Sequence, residues 1–578
     1  MLQKIAEKKR ILLIVMVVLL VAAGVFFEKT SRFGFTAALK TCLFALVLAA
    51  LYLIVVCGPR RILKWVWAHK NRLIHVLFLE TGLLFYMYYF VHKIKDVVTL
   101  YHSAQMSFGF IAMLLIAVTA VLTEIGKIPL QRIYLFAGVS LGIMFLFMQP
   151  VGSIPDEKAH LFVSYDVSNT LMGISRTEDG NLLMRADDAE FELLDEAGGE
   201  EFSLYWEALD DKAVNEEMQD IGRRPINAQK YQYIMPGIGL TIGRLFHLGA
   251  AGTFFLGRLF NMLGFVLITA YAIRCLPFGK SILALLALMP MSLQQASSFS
   301  YDAFVNSAAF LLVAMTLRLA YGKENWAEST KGKRWHAVHM IILLAACILL
   351  LPIKGYAYAP ICFLPVILVF SNWKTNRKEA LLYLGILAAC VAAFAIMRLL
   401  PMMHQIETVT YMTSRSNKVK EMYSLAYLRS HPYEWVYVLL NDSRNHRAFY
   451  IESMLVTPLA KLTKPVNNVM VYVCTSVLLL ASLRKKDETA IPGKAAKLWI
   501  HLTSWISVAC VLLGMLFVYT PVEHKLIDGV QGRYFIPLVF PMLLTVRSAR
   551  ISADRSIDGP LLSAVLTCAF FVVHYLIT

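Results

Sequence analysis

Charged side chains are scarce in this chain: they make up 16% of its 578 residues, while 58% of the residues are hydrophobic. A soluble chain of this length would form about three or four domains. Soluble domains carry about 25% charged residues, however, and the mean hydropathy of +0.60 excludes that class. Collagen, coiled coils and disordered tails are excluded by the same composition. The sequence therefore indicates a membrane protein.

The signatures of metal, disulfide and nucleotide sites are also missing. The nine cysteines lie in or beside apolar runs without a C-x-x-C pair, and no H-E-x-x-H occurs. Glu157 and His160 alone supply too few ligands for a metalloprotease zinc site. No glycine-rich phosphate loop is present, and such a loop marks nucleotide-binding folds. The net charge of +16 does not predict a nucleic-acid partner, because the basic residues lie in short loops between apolar runs, where membrane topology explains them.

Apolar runs of roughly 17 to 23 residues recur along the chain, each long enough to cross a hydrocarbon core of about 30 Å. Their continuous apolar character excludes a transmembrane barrel, whose strands alternate. We therefore expect an all-α polytopic membrane protein with about 15 spans. The expected spans are 11–27, 35–57, 73–91, 106–123, 132–149, 253–274, 281–298, 303–320, 337–353, 356–370, 379–399, 466–482, 497–519, 534–548 and 560–577.

The chain divides into an N-terminal four-helix membrane module, 1–127, and a membrane core, 128–578. Its first apolar run follows the basic stretch 8–10, and either a cleaved signal peptide or an uncleaved anchor fits that pattern. We favour the anchor, since the run is long and another span follows almost at once.

Loop charge predicts the topology. With a cytoplasmic N-terminus, nearly every short basic loop lies inside, as the positive-inside rule requires. The segments 150–231, 400–465 and 520–533 then share the extracytoplasmic face of the cell membrane. This arrangement requires Tyr231–Leu248 to be a juxtamembrane or re-entrant helix, because one more crossing would place several basic loops outside.

The first outer segment, 150–231, is strongly acidic. It holds nineteen Asp or Glu against seven Lys or Arg, a local charge of −12 that leaves +28 for the rest of the chain. We interpret its middle as a solvated acidic excursion, with strand character at Phe191–Leu194 and a turn at Gly198–Gly199.

The first candidate site follows the fifth span, in the order P-D-E-x-x-H at 155–160. Pro155 suits the first position of a helix, which would place Asp156 and Glu157 in the first turn and His160 on the same face. A carboxylate there could act as a general base toward a hydroxyl or could hold a divalent cation. The alternative is that both carboxylates merely favour the helix N-terminus through its dipole.

Three more polar residues interrupt apolar surroundings on the predicted outer side. Asp302 ends a polar stretch that begins at Pro290, and polar groups at membrane depth are usually functional. Lys354 stands between two apolar runs and could bind a phosphate or snorkel to the interface. Arg533 lies in Gln531–Phe535 and suits a bidentate phosphate contact or an interfacial anchor.

The order of these motifs resembles a family of bacterial polytopic membrane proteins that carries the P-D-E-x-x-H box and is similar to the GT-C membrane glycosyltransferases. The resemblance covers about 132–548. The motifs that carry it are P-D-E-x-x-H at 155–160, a tyrosine- and proline-containing segment at 231–236, Gly257-Arg258-Leu-Phe-Asn261, Q-x-x-S-x-S-x-D ending at Asp302, Lys354, and Gln531-Gly-Arg533-Tyr534-Phe.

That resemblance implies a GT-C-like core and transfer of a sugar from a polyprenyl-phosphate-linked donor to a glycan acceptor. Asp156 or Glu157 would be the catalytic base, with His160 beside them. The implied substrate-binding residues are Asp302, Arg258, Asn261, Lys354, Gln531, Arg533 and Tyr534. A divalent cation, Mg²⁺ or Mn²⁺, is open as a cofactor, with Asp156 and Asp302 as its ligands.

Two other functions compete with the transferase. A flippase for lipid-linked saccharides would need internal symmetry, and the sequence contains no convincing repeat. A polysaccharide polymerase or ligase would use an outer loop rich in Arg and His. The segment 400–465 supplies His431, Asp442, Arg444, His446 and Arg447 for it.

Overall fold

The fold was analysed in a computed structural model. The structure describes residues 64, 67–68, 128–194, 201, 204–205, 208–209, 211–226, 228–322, 330–373, 377–394, 411–413, 419–488 and 492–577. The expected spans 11–27, 35–57, 73–91 and 106–123, and with them nearly all of the four-helix module, lie outside these residues.

The described chain is built mainly of α-helices. In the first half they are α1 (Leu130–Met148), α2 (Glu157–Leu171), α3 (Ala186–Glu190), α4 (Ile234–Leu245), α5 (Ala250–Cys275), α6 (Lys280–Ala287), α7 (Pro290–Ala296) and α8 (Asp302–Tyr321). In the second half they are α9 (Thr330–Leu350), α10 (Val366–Asn372), α11 (Arg377–Phe394), α12 (Leu425–Ser430), α13 (Pro432–Leu455), α14 (Asn468–Ala481), α15 (Lys494–Tyr519), α16 (Ile536–Leu544) and α17 (Asp558–Ile577).

Short 3₁₀ helices and small two-stranded sheets complete the architecture. The 3₁₀ helices are Lys230–Tyr233, Ala359–Phe363, Gly532–Phe535 and Arg555–Ile557. The strands are β1 (Leu183–Arg185), β2 (Met218–Asp220), β3 (Tyr411–Thr413), β4 (Val419–Glu421), β5 (Arg484–Lys485) and β6 (Ser552–Ala553). The pairs β1–β2 and β3–β4 are antiparallel, and β5–β6 is parallel.

Four described helices are long and apolar enough to cross a membrane: α1, α5, α8 and α15. Over an apolar stretch of 18 residues in each helix, α5 and α8 are 61% and 78% buried inside the protein, whereas α15 is 28% buried. α5 packs against α1, α4 and α8. We conclude that α5 and α8 form the middle of the helical core and that α15 lies at its edge.

The continuous span expected over 281–298 is wrong, because α6 ends at Ala287 and α7 begins at Pro290. The apolar helices described near 356–370 and 534–548, Ala359–Asn372 and Gly532–Leu544, each begin as 3₁₀ helix and continue as α-helix. Proline lacks the backbone N–H that a helix interior requires and its ring clashes with the preceding turn. At each of these places a proline lies immediately before a helical segment or at its first or second position. The prolines are Pro290, Pro360, Pro365 and Pro537.

The segment expected to be juxtamembrane or re-entrant contains α4, which has 12 residues. At 1.5 Å per residue it is about 18 Å long, less than the hydrocarbon core. Glycines on α4 allow close packing, since a Cβ on Gly243 would lie 2.8 Å from the Cα of Thr253 in α5.

The acidic excursion is more ordered than its composition predicts. The strand expected at Phe191–Leu194 is wrong: β1 and β2 pair instead, with Met184 opposite Gln219. Arg185 is buried and donates to both carboxylate oxygens of Asp188, at 2.7 and 2.9 Å. A buried ion pair of this kind needs its hydrogen bonds satisfied by surrounding groups, and this one links β1 to α3.

Candidate functional site

Four charged residues meet where α2 and α8 begin. Asp302 is the first residue of α8 and is buried. Its Oδ1 lies 2.9 Å from Nζ of Lys354, and its Oδ2 lies 3.5 Å from Nε of Arg533. Arg533 also reaches Asp156, with 3.8 Å between Nη2 and Oδ2. Four predicted site residues from distant parts of the sequence therefore form one cluster, which we call the charged site.

Arg533 is held in place by both its side chain and its backbone. The side chain is 4% exposed, and Nη1 donates to Oε1 of Gln295 over 3.1 Å. The preceding residue, Gly532, donates its N–H to Oγ of Ser453 in α13 over 2.8 Å. A Cβ on Gly532 would collide with the carbonyl oxygen of Tyr450. Only glycine allows the 3₁₀ helix to approach α13 this closely.

Lys354 lies in an unusual backbone turn. Lys354, Gly355 and Tyr356 have φ angles of 49°, 60° and 68°, so three successive residues are left-handed. This conformation costs a non-glycine residue roughly 1 kcal/mol or more and is concentrated at functional sites. The turn directs Nζ of Lys354 over the ring of Tyr534, 3.4 Å from its centroid. From the sequence we expected Lys354 either to bind a phosphate or to snorkel to the interface. Neither expectation included this contact with an aromatic ring.

Asp156 has the same backbone strain. It is the residue before α2, with φ 61° and ψ 8°, and its side chain is 68% exposed. The expectation that Pro155 begins the helix is wrong, because α2 begins at Glu157. An aspartate can occupy the left-handed region because its short polar side chain tolerates it. The carboxylate of Asp156 thus combines access from solvent with proximity to Arg533.

Glu157 does not belong to the charged site, contrary to the sequence-based expectation. Its carboxylate is 1% exposed and accepts from Nε and Nη2 of Arg258 at 2.8 and 2.6 Å. It also accepts from the backbone N–H groups of Gly152, at 2.9 Å, and Phe299, at 3.2 Å. A carboxylate with four donors has no free lone pair directed at a substrate. We assign Glu157 a structural role.

Arg258 and Asn261, predicted to bind substrate, likewise lie outside the charged site and contact protein groups. Arg258 is fully buried and donates to Glu157 and to the carbonyl oxygens of Gln149 and Pro150. Nδ2 of Asn261 donates to the carbonyl oxygens of Ser298 and Ser300, at 2.7 and 3.1 Å. Both residues lie on α5. They position the segments that carry Asp156 and Asp302, because buried polar groups require such partners.

His160 faces an aromatic wall of the charged site. Its Nδ1 lies 2.9 Å from the hydroxyl of Tyr233, and its ring meets Tyr301 edge-on at 5.2 Å. Burial lowers the pKa of His160 to about 4, and the nearby Asp302 carboxylate opposes part of this shift. The imidazole is therefore neutral near pH 7. It acts as a hydrogen-bonding partner of Tyr233, not as a cation.

Sequence reasoning missed Gln295, Tyr233 and Tyr301 as members of the site. Each lies in a polar or aromatic stretch that the sequence shows, at 231–236 and 290–302, but their contacts depend on tertiary packing. Of the remaining predicted residues, Tyr534 packs beneath Lys354. Gln531 precedes the 3₁₀ helix, and its carbonyl accepts from Tyr534 N–H at 3.1 Å.

The charged site does not fit a divalent cation well. Among the residues that the structure describes, no group of three or more His, Cys, Asp or Glu could hold a metal ion. Asp302, one of the two ligands considered above, is already paired with Lys354 and Arg533. A divalent cation there would face two positive side chains, which the local electrostatics disfavour. The arrangement favours an anion instead.

A second polar cluster lies on α13, within the segment considered for a polymerase or ligase. Nδ1 of His446 is 2.8 Å from Oδ1 of Asp442, and the Tyr450 hydroxyl donates to Oδ2 over 2.6 Å. Asp442 also accepts from Ile527 N–H at 3.1 Å. This cluster joins α13 to the segment that precedes Arg533. Arg444 and Arg447 are exposed on the same helix.

Comparison with known families finds a match over residues 139–542 to the family described as Predicted membrane protein (DUF2142). The match includes every residue of the charged site and more than two thirds of the chain. No curated protein and no solved structure matches the chain.

Proposed function

We propose that this chain, which belongs to the DUF2142 family of predicted membrane proteins, is a membrane glycosyltransferase that moves a sugar from a polyprenyl-phosphate-linked donor to a hydroxyl of a cell-envelope glycan. One observation carries the proposal. A solvent-accessible carboxylate, Asp156, lies beside two cations, the buried Arg533 and Lys354, whose side chain is 15% exposed. The proposal further places this site at the extracytoplasmic face, as loop charge predicts.

The cations suit the phosphate of a lipid-linked donor. Lys354 and Arg533 share the buried carboxylate of Asp302, and the other carboxylate beside Arg533, Asp156, is largely exposed. Two cations that share one buried carboxylate leave positive charge that an entering phosphate can compensate. Preorganised cations stabilise a departing phosphate without reorganisation during the reaction. Asp302 would orient the two cations, not contact the sugar.

Asp156 would act as the general base. The acceptor oxygen attacks the anomeric carbon while its proton passes to the Asp156 carboxylate. The bond between the anomeric carbon and the phosphate oxygen breaks, and the electron pair leaves with the polyprenyl phosphate. Inverting transfer needs this arrangement of a base on the acceptor side and positive charge on the leaving-group side. A donor carried by lipid suits a site outside the cytoplasm, where nucleotide sugars are absent.

The test is a transfer assay on the full chain in proteoliposomes, using a radiolabelled sugar on polyprenyl phosphate. We expect Asp156→Asn to lower transfer by about 100-fold or more, the usual scale for loss of a general base, while the amount of folded protein stays unchanged. Glu178→Gln, which changes an exposed acid in the same loop, is the matched control.

Full transfer by Asp156→Asn would remove the carboxylate from catalysis. Movement of the labelled lipid between leaflets without any sugar transfer would favour the flippase. Loss of transfer in His446→Ala with full activity in Asp156→Asn would favour the polymerase or ligase, whose residues lie on α13.

A further inference from the structure

A cavity of about 330 Å³ lies against Asp156 and shares that residue with the charged site. Its other walls include Gly152, Phe191, Leu193 and Lys461. The volume lies at the lower end of the roughly 300–1,000 Å³ found for small-molecule sites. Asp156 therefore belongs both to the charged site and to the lining of this cavity.

We propose that this cavity binds a neutral saccharide unit of the acceptor. The inference rests on the proposed transferase function and names the acceptor chemistry of the same site. It would place the acceptor hydroxyl at Asp156 from the side opposite the donor phosphate.

The charges around the cavity balance. The lining holds Lys158 and Lys461 against Asp156, Glu157 and Glu192, and Glu157 is compensated by Arg258 behind it. A site for an anionic ligand would show an excess of cations. Charged groups of both signs supply donors and acceptors for hydroxyl groups. The lining therefore favours an uncharged, hydroxyl-rich ligand.

Phe191 adds an apolar wall. Its ring meets Phe254 edge-on at 5.7 Å, which fixes its orientation in the lining. Leu193 continues the wall, and Leu194 N–H donates to the carbonyl of Val151 at 3.0 Å. A pyranose ring has an apolar face of C–H groups and a polar rim of hydroxyls. An aromatic wall with a charged rim complements both.

Lys461 is placed by a strained and anchored turn. The flanking residues Ala460 and Leu462 have φ angles of 53° and 66°, and Ala460 N–H donates to Oε1 of Gln294 over 2.9 Å. Leu459 and Lys464 form a backbone bridge across the turn. Strain of this kind persists only where surrounding contacts enforce it. The turn thus holds Lys461 at the cavity near α2.

Gly152 is required where the cavity wall meets the segment before α2. Its φ is 101°, and a Cβ there would lie 2.8 Å from the carbonyl oxygen of Leu194. The same glycine donates its N–H to Glu157. The wall that carries Phe191 is therefore coupled to the backbone immediately before Asp156.

Ligand-observed NMR on the full chain in nanodiscs tests the proposal without requiring turnover. The probes are neutral methyl glycosides of glucose, galactose, mannose and N-acetylglucosamine, with glucuronate as the anionic comparison. We expect at least one neutral glycoside to bind more tightly than glucuronate. Phe191→Leu and Lys461→Met should weaken that binding by about threefold to tenfold. Lys464→Met, in the same turn but outside the lining, should leave it unchanged.

Preferential binding of glucuronate, or binding of no neutral glycoside, would overturn the saccharide site. An unaltered affinity in both Phe191→Leu and Lys461→Met would also overturn it. Saccharide binding without sugar transfer would retain the subsite and defeat the proposed transferase. Sugar transfer in which Phe191→Leu leaves the acceptor KM unchanged would support the proposed transferase and overturn the saccharide site.

Discussion

At the scale of single residues, Arg533 shows why a guanidinium is needed. Its three nitrogens face different partners: Nη1 faces Gln295, Nε faces Asp302 and Nη2 faces Asp156. An ammonium is a point charge and cannot reproduce a planar set of donors in three directions. The same planar group would present paired donors to phosphate oxygens.

We therefore expect Arg533→Lys to lower donor use by at least about tenfold, nearly as much as Arg533→Ala, since hydrogen bonds to charged groups contribute about 1.5–3 kcal/mol. Lys354→Arg should be better tolerated than Lys354→Met. The measurement is the dependence of transfer on donor concentration in liposomes, with Arg132→Lys, an exposed arginine of α1, as control. If Arg533→Lys uses the donor as well as the unaltered chain does, Arg533 is an interfacial anchor and not a phosphate ligand.

Lys354 predicts that the proposed sugar transfer depends on pH. Burial lowers the pKa of Lys354 to about 8, and Asp302 opposes part of that shift. Below pH 8 the ammonium is charged and can hold a phosphate, and above pH 8 it loses its proton. We expect the apparent donor affinity to fall as the pH rises through about 8, and the fall to move to higher pH in Lys354→Arg. A profile that is the same in both proteins would contradict this assignment.

At the scale of elements, the pair Glu157–Arg258 joins the start of α2 to the middle of α5. Removal of one partner leaves the other charge buried without compensation, which costs about 3–5 kcal/mol. We expect Glu157→Gln and Arg258→Met each to lower the thermal unfolding midpoint of the detergent-solubilised protein markedly. The double variant should lower the midpoint by less than the sum of the decreases in the two single variants.

This result would separate Glu157 from Asp156 in role. A catalytic base predicts the reverse behaviour for Glu157→Gln, with unchanged thermal stability and lost transfer. Asp156→Asn should show that pattern instead, because its side chain is largely exposed.

At the scale of the whole molecule, contacts join the loops into two groups. Met422 forms a backbone bridge with Pro521, and Arg533 reaches Asp156, so the three segments predicted to lie outside contact one another. In the other group, Lys485 pairs with Asp558 at 2.7 Å and β5 pairs with β6. The loops of this second group contain the basic stretches 484–486 and 547–555, which the positive-inside rule predicts to lie inside.

We accordingly expect opposite membrane exposure of the two groups. A cysteine placed at Asp179 should react with a membrane-impermeant maleimide in intact cells, while one at Lys486 should react only after permeabilisation. Both residues are exposed on the protein surface. Labelling of both cysteines from the same side would refute the predicted topology.

The sequence alone determined the membrane class, because apolar runs of spanning length need no tertiary information to be recognised. It also singled out as candidate site residues the four that the structure brings together: Asp156, Asp302, Lys354 and Arg533. Charges beside apolar runs are costly, and their presence therefore indicates a role. The sequence did not predict the interruption of the span expected over 281–298, for an apolar run remains apolar whether or not a proline divides it.

Only the tertiary structure decided which of two adjacent carboxylates is available. Asp156 and Glu157 are neighbours in the P-D-E-x-x-H box, but the left-handed backbone of Asp156 leaves its carboxylate exposed beside Arg533. Glu157 instead meets Arg258, which lies 101 residues away in the sequence. The direction of a side chain depends on local backbone dihedrals and on partners brought near by helix packing, and the spacing of residues in a motif contains neither.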